Sequence, residues 1–545
     1  MKNCFKILAA ALIGIAAVSC SSAQKMAEQA ENVLVQCNPA VLEAVAGNID
    51  AALTVTYPAG YFHPKAILEV TPVLVYEGGE QAAPVLKYQG EKVKDNYKVV
   101  PKDGGVVKEN VHFTYKEGME KAYLELRGVA KYKNKAVALP SKKVADGVIT
   151  TYMLVDKDGS VSFKPDNYQE IIPESVEGQI LYLINSADVR NAQLKGQSIK
   201  DFQNALDEIS ANERKTLVGT EIVAYASPDG AESLNSKLSD KRASAADKAW
   251  DKIVKGHEAS DPEVKSVGED WEGFKALVSE SNLQDKDLIL RVLSMYSDPA
   301  VRESEIKNMS EVYKELKDGV LPELRRARFI ANTEYKNYTS EELLGLLDNN
   351  SDVLDEEALL RVASLVGLDK KPAVYQKAVD KFNSERARFN LAISNLLLGK
   401  DDAAANALAK CAKDADVENA LGVLALRKGD LAEAARRFAA AGNDDSKANL
   451  GVVDILNGNY AKAASELADK KGCCKNKVLA YLLNGQLDAA AAAAKCQDPE
   501  VKYLQAVIAA RQGKADEAKA FLEEAAKDPA LAARAAKDIE FAGIR

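Results

Sequence analysis

The sequence predicts a multidomain protein in which a β-sandwich comes first, an α/β sandwich follows, and an all-α helical-repeat solenoid comes last. Three observations predict this order. Runs of β-branched and aromatic residues, separated by turn residues, fill positions 45–165. Alternating strand-like and helix-like segments fill positions 176–335, and a glycine recurs every 27–30 residues from position 399 onward. At 545 residues the chain is long enough for several separate cores.

Composition excludes several classes of function. The formal net charge is −9 and there is no long lysine or arginine run, so we expect no nucleic-acid partner, because neutralising phosphates requires clustered positive charge. The three histidines, at positions 63, 112 and 257, are scattered. No nucleophile elbow, zinc-protease motif or phosphate-binding loop is present. We therefore predict no catalytic residues, no metal site and no cofactor.

The first residues are typical of a targeting segment. The apolar run "ILAAALIGIAAV" has 12 residues, which suits a signal peptide better than a membrane span. It ends at "AAVSC", which resembles a lipobox and implies that residues 1–19 are removed and Cys20 is diacylated. Plain secretion with Cys20 as a free thiol is the alternative. Residues 20–40 then form a polar tether, and the resemblance implies an outer-membrane lipoprotein facing the periplasm.

Residues 41–170 are predicted to form the β-sandwich. The runs "KAILEVTPVLVY", "NVHFTYK", "KAYLELRGVAKYKN" and "VITTYMLVD" alternate in part between apolar and polar residues. The turn signals "EGGE", "KDGG" and "DKDG" separate them, as expected for antiparallel strands. Pro72 lies inside one run and indicates an edge strand or a bulge there, because proline cannot donate to a sheet ladder.

Residues 171–338 are predicted to form the α/β sandwich. "EGQILYLINSADVRN" is strand-like, "SIKDFQNALDEISANE" is an amphipathic helix, and "TLVGTEIVAYAS" is a buried-looking strand. A long helical stretch and the strand "LPELRRARFIANTEY" complete a β-α-β-α-β order. Residues from about 255 to 320 have helical periodicity and form an insertion before the last strand. This insertion either covers a ligand-binding face or presents a surface to a partner.

The junction between the second strand and the second helix carries a specific motif. It reads "YASPDGAESLNSKLSDKRASAA" and resembles the signature of the OmpA-like peptidoglycan-binding domain, in which a Gly/Asp turn precedes N-x-x-L-S-x-x-R-A. The order of strands and helices on either side also resembles that family. The positions of the motif are filled here by Asn235, Leu238, Ser239, Arg242 and Ala243.

This resemblance implies binding to the peptidoglycan stem peptide, whose diaminopimelate carries an amine and a carboxylate. Arg242 is the implied clamp for that carboxylate, because a guanidinium forms two parallel hydrogen bonds. Asn235 is expected to hold the loop by bonding its backbone. The family has an aspartate where this chain has Ser227, and Asp229 is the nearby acid that can replace it. Without a ligand role, Arg242 is a solvated charge beside Asp240 or Glu232, and Asp229 is a turn residue.

The region 339–545 is predicted to consist of helical repeats. Its glycines end one helix and permit a tight turn, and an alanine five residues later lets the next helix pack closely. The segments "GDLAEA" and "GNYAKA" resemble tetratricopeptide repeats, although another helical solenoid is possible. A free-thiol or disulfide role for Cys496 is left open. The glycines are at 399, 429, 458, 485 and 513, and the alanines are at 404, 434, 463, 490 and 518.

Together these features predict a non-enzymatic outer-membrane lipoprotein. The acyl chains on Cys20 hold it in the membrane, the OmpA-like domain contacts peptidoglycan, and the tetratricopeptide-like repeats bind protein partners. The alternative is an accessory or scaffold subunit of an outer-membrane assembly or secretion complex, with weak or no peptidoglycan binding. In that case the partner of the repeats is expected to be an outer-membrane β-barrel complex.

Overall fold

A computed structural model describes residues 22–283, 285–472 and 474–544. The chain divides into two compact units. The first combines residues 22–164 with residues 371–544, and the second comprises residues 165–370. This division differs from the predicted linear order of domains, because buried apolar residues of the N-terminal sheet and of the C-terminal helices form one continuous core.

The first unit opens with a short helix and a strongly curved sheet. Within the described residues the sheet has 11 strands, in the order β1-β3-β2-β11-β9-β4-β6-β7, with β8, β10 and β5 paired to β3, β9 and β4. The elements are α1 (Ser22–Glu28), β1 (Leu34–Asn38), β2 (Val41–Val45), β3 (Asn48–Tyr57), β4 (Ile67–Tyr76), β5 (Gly79–Ala82), β6 (Leu86–Gly90), β7 (Lys98–Val100), β8 (Gly105–Thr114), β9 (Tyr123–Tyr132), β10 (Lys135–Ala138) and β11 (Lys142–Ile149).

Two expectations for this region are wrong. The predicted tether 20–40 contains α1, which buries Ala23 and Met26, and β1, which pairs with β3. Of the two alternatives for Pro72, the edge strand is wrong, because Pro72 lies in the interior strand β4. Its neighbour on one side changes at this point: β6 pairs with residues 67–70, and β5 pairs with residues 73–76. The missing N–H of proline therefore falls where the two neighbouring strands meet.

The second unit has a four-stranded sheet in the order β12-β15-β13-β14, in which β13 and β14 are parallel. Helices α3 and α4 pack on one face of this sheet, around Phe202, Trp250 and Phe329. The elements are β12 (Ile171–Leu181), α2 (Asn191–Leu194), α3 (Gln197–Ala211), β13 (Lys215–Ala226), α4 (Glu232–Ile253), β14 (Glu263–Glu269), α5 (Trp271–Glu280), α6 (Lys286–Met295), α7 (Pro299–Asn308), α8 (Ser310–Gly319), β15 (Arg326–Lys336), α9 (Ser340–Asn349) and α10 (Glu356–Leu365).

The predicted insertion 255–320 is helical only from α5 onward. Strand β14 was expected to be part of that helical region. Its sequence "EVKSVGE" is short, and most of its residues are exposed, so its alternation of apolar and polar residues is weak. Helices α5 to α8 form a small apolar core of their own around Phe274, Ile289 and Leu316. Helices α9 and α10, which were expected to open the repeats, belong to the second unit.

The C-terminal helices of the first unit form helical hairpins. The glycine that joins the helices of each hairpin has φ between 71° and 81°, and the alanine five residues later is fully buried, so both predicted roles are confirmed. The helices are α11 (Lys371–Phe382), α12 (Glu385–Leu397), α13 (Asp401–Leu408), α14 (Ala415–Arg427), α15 (Leu431–Ala441), α16 (Asp444–Leu456), α17 (Tyr460–Glu466), α18 (Lys475–Leu483), α19 (Leu487–Ala493), α20 (Pro499–Arg511), α21 (Ala515–Ala525) and α22 (Pro529–Ala535).

Candidate functional site

The loop 227–230 connects the end of β13 to the start of α4. Ser227 Oγ donates a hydrogen bond of 2.7 Å to Asp229 Oδ1, and the Asp229 amide donates to the Ser227 carbonyl at 2.8 Å. The loop is thus a compact turn closed by its own polar groups. On its outer side, Pro228 lines a small cavity with residues of the insertion, including Phe274 and Tyr313. The insertion therefore covers part of this loop.

Asn235 holds this loop in place. Its Nδ2 donates to the carbonyl oxygens of Ser227 and Gly230, at 3.1 and 3.2 Å, and to Glu269 Oε1 at 2.9 Å. The predicted loop-fixing role of Asn235 is confirmed by these bonds. Burial raises the pKa of Glu269, and the hydrogen bonds from Asn235 and Trp271 act in the opposite direction.

Arg242 lies inside the domain and is only 1% exposed. Its guanidinium donates to three backbone carbonyls, those of Ser186 at 3.0 Å, Tyr225 at 2.9 Å and Leu183 at 3.3 Å. Burial lowers the pKa of the Arg242 guanidinium to about 10. The alternative of a solvated charge is therefore wrong. The role of Arg242 as a carboxylate clamp stays a prediction, and it requires a ligand to reach a buried guanidinium that already donates to three backbone carbonyls.

Arg325 is the basic residue that contacts the loop. Its Nη2 donates to Asp229 Oδ2 at 3.0 Å, and its Nε donates to Ser227 Oγ at 3.3 Å. The side chains of Arg325 and Asp229 are 10% and 15% exposed. Sequence reasoning did not assign Arg325 to the site, because it lies 96 residues from Asp229 and only the sheet order brings β15 beside β13.

A second candidate site lies in the first unit. Residues 156–164, which we call the strap, form neither helix nor strand and bend at Asp158. The strap runs along the first helices of successive hairpins. One asparagine from each of four of these helices bonds the strap directly, and we call this set the asparagine ladder. The ladder consists of Asn390 on α12, Asn419 on α14, Asn449 on α16 and Asn476 on α18.

The ladder bonds the backbone of the strap at every fourth residue. Asn476 accepts from the Asp156 amide at 2.8 Å and donates to the Asp156 carbonyl at 2.9 Å. Asn390 does the same for Lys164, at 2.8 and 2.9 Å. A side-chain amide that bonds both the N–H and the C=O of one residue imitates a neighbouring strand.

The centre of the ladder is a connected network. Asn449 accepts from the Ser160 amide at 2.7 Å and donates to the Ser160 carbonyl at 2.9 Å. Asn419 also donates to that carbonyl at 2.9 Å, and Asn449 donates to Asn419 Oδ1 at 2.9 Å. Asn419 and Asn449 are 3% and 1% exposed. In this network the Ser160 amide, the Ser160 carbonyl and the Asn419 carbonyl oxygen each have a hydrogen-bond partner. Loss of Asn449 would therefore leave polar atoms unpaired.

Side chains of the strap make further contacts with the helices. The hydroxyls of Ser160 and Ser162 donate to the Asp445 carboxylate at 2.5 and 2.6 Å. Lys470 Nζ contacts the same carboxylate at 3.2 Å. Burial raises the pKa of Asp445, but these hydrogen bonds outweigh it and lower the pKa below its ordinary value. At the other end, Phe163 stacks on Tyr375 with ring centroids 6.0 Å apart, and Lys164 forms an ion pair with Asp414.

Gly159 of the strap has no room for a side chain. Its φ is +80°, a region that favours glycine, and a Cβ at this position would lie 2.6 Å from Cγ2 of Val423. We call the surface of the helices that contacts the strap the groove. Its contacts favour glycine at position 159, hydroxyl residues at 160 and 162, and an aromatic residue followed by lysine at 163 and 164.

Sequence reasoning missed the ladder, although a signal was present. Each ladder asparagine precedes the glycine of its own hairpin by nine or ten residues, so the four share the period of the repeats. An asparagine that recurs inside helices is unusual, because its side chain competes with the helix backbone. The strap gives no such signal, because nothing in "DKDGSVSFK" indicates that its partners lie more than 200 residues away.

The predicted lipidation site, Cys20, lies outside the described residues. Cys496 is disulfide-bonded, and Cys37, Cys411 and Cys474 are free thiols. Within residues 22–283, 285–472 and 474–544, no helix is both long and apolar enough to cross a membrane. Over the same residues, no cluster of three or more His, Cys, Asp or Glu side chains is arranged to hold a metal ion.

Two carboxyl side chains, Asp454 of α16 and Glu466 of α17, lie next to each other. Burial and the neighbouring Asp454 raise the pKa of Glu466 to about 7, although Lys462 acts in the opposite direction. Glu466 Oε2 is buried, and no hydrogen-bond donor reaches it within the described part of the chain. A protonated Glu466 can donate to the Asp454 carboxylate, so protonation supplies the missing interaction.

We expect this pair to make the stability of the first unit depend on pH. Because the pKa of Glu466 is raised on folding, the folded state holds the proton more tightly than the unfolded state. The free energy of unfolding should therefore fall as the pH rises from about 5 to about 7. Glu466→Gln should remove this fall, and the control Glu523→Gln, at an exposed position, should keep it. Thermal unfolding followed by circular dichroism at several pH values measures the effect; an unchanged profile in Glu466→Gln contradicts it.

Comparison with known proteins does not assign a family. No family model and no curated protein matches the chain. Among solved structures, the chain is similar to one described as "Crystal structure of APC/C hetero-tetramer Cut9-Hcn1", at 14% sequence identity and a TM-score of 0.29. That alignment covers 61% of this chain and 78% of the other. A likeness at this TM-score carries no argument, so the description of the helical repeats rests on their own geometry.

Proposed function

We propose that the protein is a non-enzymatic scaffold of the cell envelope whose tetratricopeptide-like repeats bind polypeptide. One observation carries the proposal: the asparagine ladder holds an extended segment by its backbone at Asp156, Ser160 and Lys164. Main-chain hydrogen bonds give affinity for any extended chain, and the pockets beside them give specificity. The repeats thus carry the chemistry of a polypeptide-binding surface.

The location that we propose is the periplasmic face of the outer membrane. This part of the proposal rests on the sequence, in which an apolar run of signal-peptide length ends at a lipobox-like "AAVSC". Acyl chains on Cys20 would hold the chain at the membrane and leave both folded units in the periplasm. The partner of the repeats would then be an envelope protein, and an outer-membrane β-barrel complex is the partner class that we favour.

Cys20→Ser is expected to release the protein from the membrane into the soluble fraction. A stable anchor requires two or more acyl chains, and all of them depend on this residue. Fractionation of cells followed by an alkaline wash of the membranes measures the release. The control Cys37→Ser, which removes a free thiol of β1, should leave the protein in the membrane. Retention of the Cys20→Ser protein after the wash would contradict the anchor.

The binding function is tested by capture of the full chain from crosslinked envelopes, with and without digestion of the cell wall. We expect protein partners to be recovered under both conditions, because the repeats bind polypeptide directly. Recovery that disappears after wall digestion would contradict the proposal, since the chain would then be connected to other proteins only through peptidoglycan.

The Arg325–Asp229 pair favours peptidoglycan binding as a second candidate function. The two side chains are 3.0 Å apart, and each keeps a small exposed fraction. A ligand end that carries both an amine and a carboxylate, as diaminopimelate does, could exchange with this pair: Asp229 would take the amine and Arg325 the carboxylate. In this assignment the ligand is still diaminopimelate, but its carboxylate is bound by Arg325 and not by Arg242.

Co-sedimentation of the full chain with purified sacculi tests this second candidate. Arg325→Lys and Asp229→Asn should each weaken sedimentation about tenfold, the size of one charge-assisted hydrogen bond. Arg328→Lys is the matched control, because Arg328 lies on β15, three residues after Arg325, but pairs with the partly exposed Glu177 and not with the loop. If the wild-type chain does not sediment, peptidoglycan binding is contradicted and only the scaffold function remains proposed.

A further inference from the structure

We infer that the groove along the asparagine ladder is an exchangeable peptide-binding site and that the strap is its intramolecular competitor. The inference rests on the proposed function and deepens it, because it states the chemistry of the partner. The occupant is an extended segment of another polypeptide with the order glycine, serine, any residue, a second hydroxyl residue, an aromatic residue and lysine. This order follows from the contacts of Gly159, Ser160, Ser162, Phe163 and Lys164.

The first reason is that the strap is held from one side only. Residues 156–164 are half-buried or exposed, and none of them is fully buried. By contrast, Asn390, Asn419 and Asn449 are 1–3% exposed. The groups that bind the strap thus belong to the folded helices. The strap adds its backbone, polar side chains at its surface, and two apolar side chains, Val161 and Phe163, that are only partly buried. Segments with little buried apolar surface open locally without unfolding the structure that holds them.

The second reason is that the strap does not fill the groove. A cavity of about 200 Å³ lies beside Asp156 and Ser160, and its far wall is formed by Val452, Leu467 and Lys470. A ligand with a larger side chain at the position of Asp156, which the required order leaves open, can occupy this space. A segment from a partner can therefore make every backbone bond that the strap makes, and can add contacts that the strap lacks.

The third reason is the conformation that the groove demands. Gly159 has a positive φ and faces Val423, so few sequences can replace the strap. Serine hydroxyls at two positions satisfy Asp445, which would otherwise be a half-buried carboxylate beside Lys470 alone. These restrictions give the site a specificity that backbone bonding alone would not supply.

The test uses the full chain and a fluorescent peptide of sequence VDKDGSVSFKPD, which corresponds to residues 155–166. The wild-type chain should bind this peptide weakly, because its own strap competes at a high effective concentration. Gly159→Val disfavours the tethered strap but not the added peptide, so this variant should bind the peptide at least tenfold more tightly. Fluorescence anisotropy measures the affinity, and a peptide with valine in place of its glycine is the negative control.

The ladder is tested in the same background. Adding Asn449→Leu to Gly159→Val should weaken the peptide affinity at least tenfold, whereas adding Asn395→Leu should leave it unchanged. Asn395 is also buried on α12, but among the described residues its side-chain amide donates only to the carbonyl of Leu391 in its own helix. Equal binding by the Asn449→Leu double variant, or no binding by a folded Gly159→Val chain, would overturn the inference.

A measurement on the wild-type chain keeps the inference testable if Gly159→Val fails to fold. Hydrogen exchange at the amides of Ser160 and Lys164 should be at least 100-fold faster than at Val452 and Val453 in α16, because the strap opens while the helices stay folded. Equal protection of strap and helix would overturn exchangeability. A wild-type chain that dimerises through its strap would also overturn the inference, since the occupant would then be a second copy. Neither result contradicts the proposed function, because that function is tested separately, by capture of envelope partners.

Discussion

Arg242→Ala is expected to destabilise the 165–370 unit by about 3–5 kcal/mol, because it removes three hydrogen bonds to backbone carbonyls and leaves a cavity where a side chain that is 1% exposed was packed. The carbonyls belong to Leu183, Ser186 and Tyr225. Both tryptophans of the chain, Trp250 and Trp271, lie in this unit. Denaturant unfolding followed by tryptophan fluorescence therefore reports on this unit selectively in the full chain.

Two further variants test whether the loss of stability comes from the hydrogen bonds of Arg242. Arg242→Lys should fall between wild type and Arg242→Ala, since an ammonium can donate to some of the carbonyls but not with the planar geometry of the guanidinium. Arg328→Ala should cost less, about 1 kcal/mol, because its ion-pair partner Glu177 is 42% exposed and its hydrogen bond to the Tyr225 hydroxyl is long, at 3.3 Å. If Arg242→Ala unfolds like wild type but no longer sediments with sacculi, Arg242 is the ligand clamp that the sequence motif implies.

Asn449→Leu is expected to detach the strap and to destabilise the first unit by about 2–3 kcal/mol. Leucine keeps the size of the side chain but removes its hydrogen bonds to Ser160 and Asn419. The Ser160 amide and Asn419 Oδ1 then lack a partner, and each unpaired buried group costs about 1–3 kcal/mol. Hydrogen-exchange mass spectrometry of the peptide that contains residues 156–164 measures the detachment directly.

The control for this prediction is Asn395→Leu. It removes a buried asparagine from the same row of helices, but one that does not contact the strap. Exchange in the strap should stay at the wild-type rate in this variant. Strap protection that is unchanged in Asn449→Leu would show that side-chain contacts such as Phe163 on Tyr375, and not the ladder, hold the strap.

Local sequence pattern was sufficient to predict the helical repeats. A glycine that needs a positive φ and a buried alanine at a fixed distance from it are both requirements of a tight helical hairpin, so each repeat carries its own signal. Strand β14 lacks such a signal, since its exposed residues need not alternate between apolar and polar. The structured segment 22–38 was missed for a similar reason: α1 buries only Ala23 and Met26 on one short face.

Local sequence pattern could not predict which two segments of the chain form the first unit. Helices and strands are detected from neighbours in the sequence, but the joining of residues 22–164 to residues 371–544 depends on contacts between distant residues. The same limit explains the sites. The motif correctly indicated that Asn235 holds the loop. It could not show that the carbonyls of Leu183 and Ser186 satisfy Arg242, or that Arg325 pairs with Asp229.

The distance along the chain between the strap and its ladder has a consequence for biosynthesis. Lys164 is 226 residues from Asn390, and Asp156 is 320 residues from Asn476. At ribosomal rates of about 5–20 residues per second, the strap is made roughly 10–60 seconds before the asparagines that bind it. Throughout that interval the backbone groups of Asp156, Ser160 and Lys164 lack the asparagines that bind them in the folded protein, so the newly made N-terminal part offers these groups to any chaperone it meets.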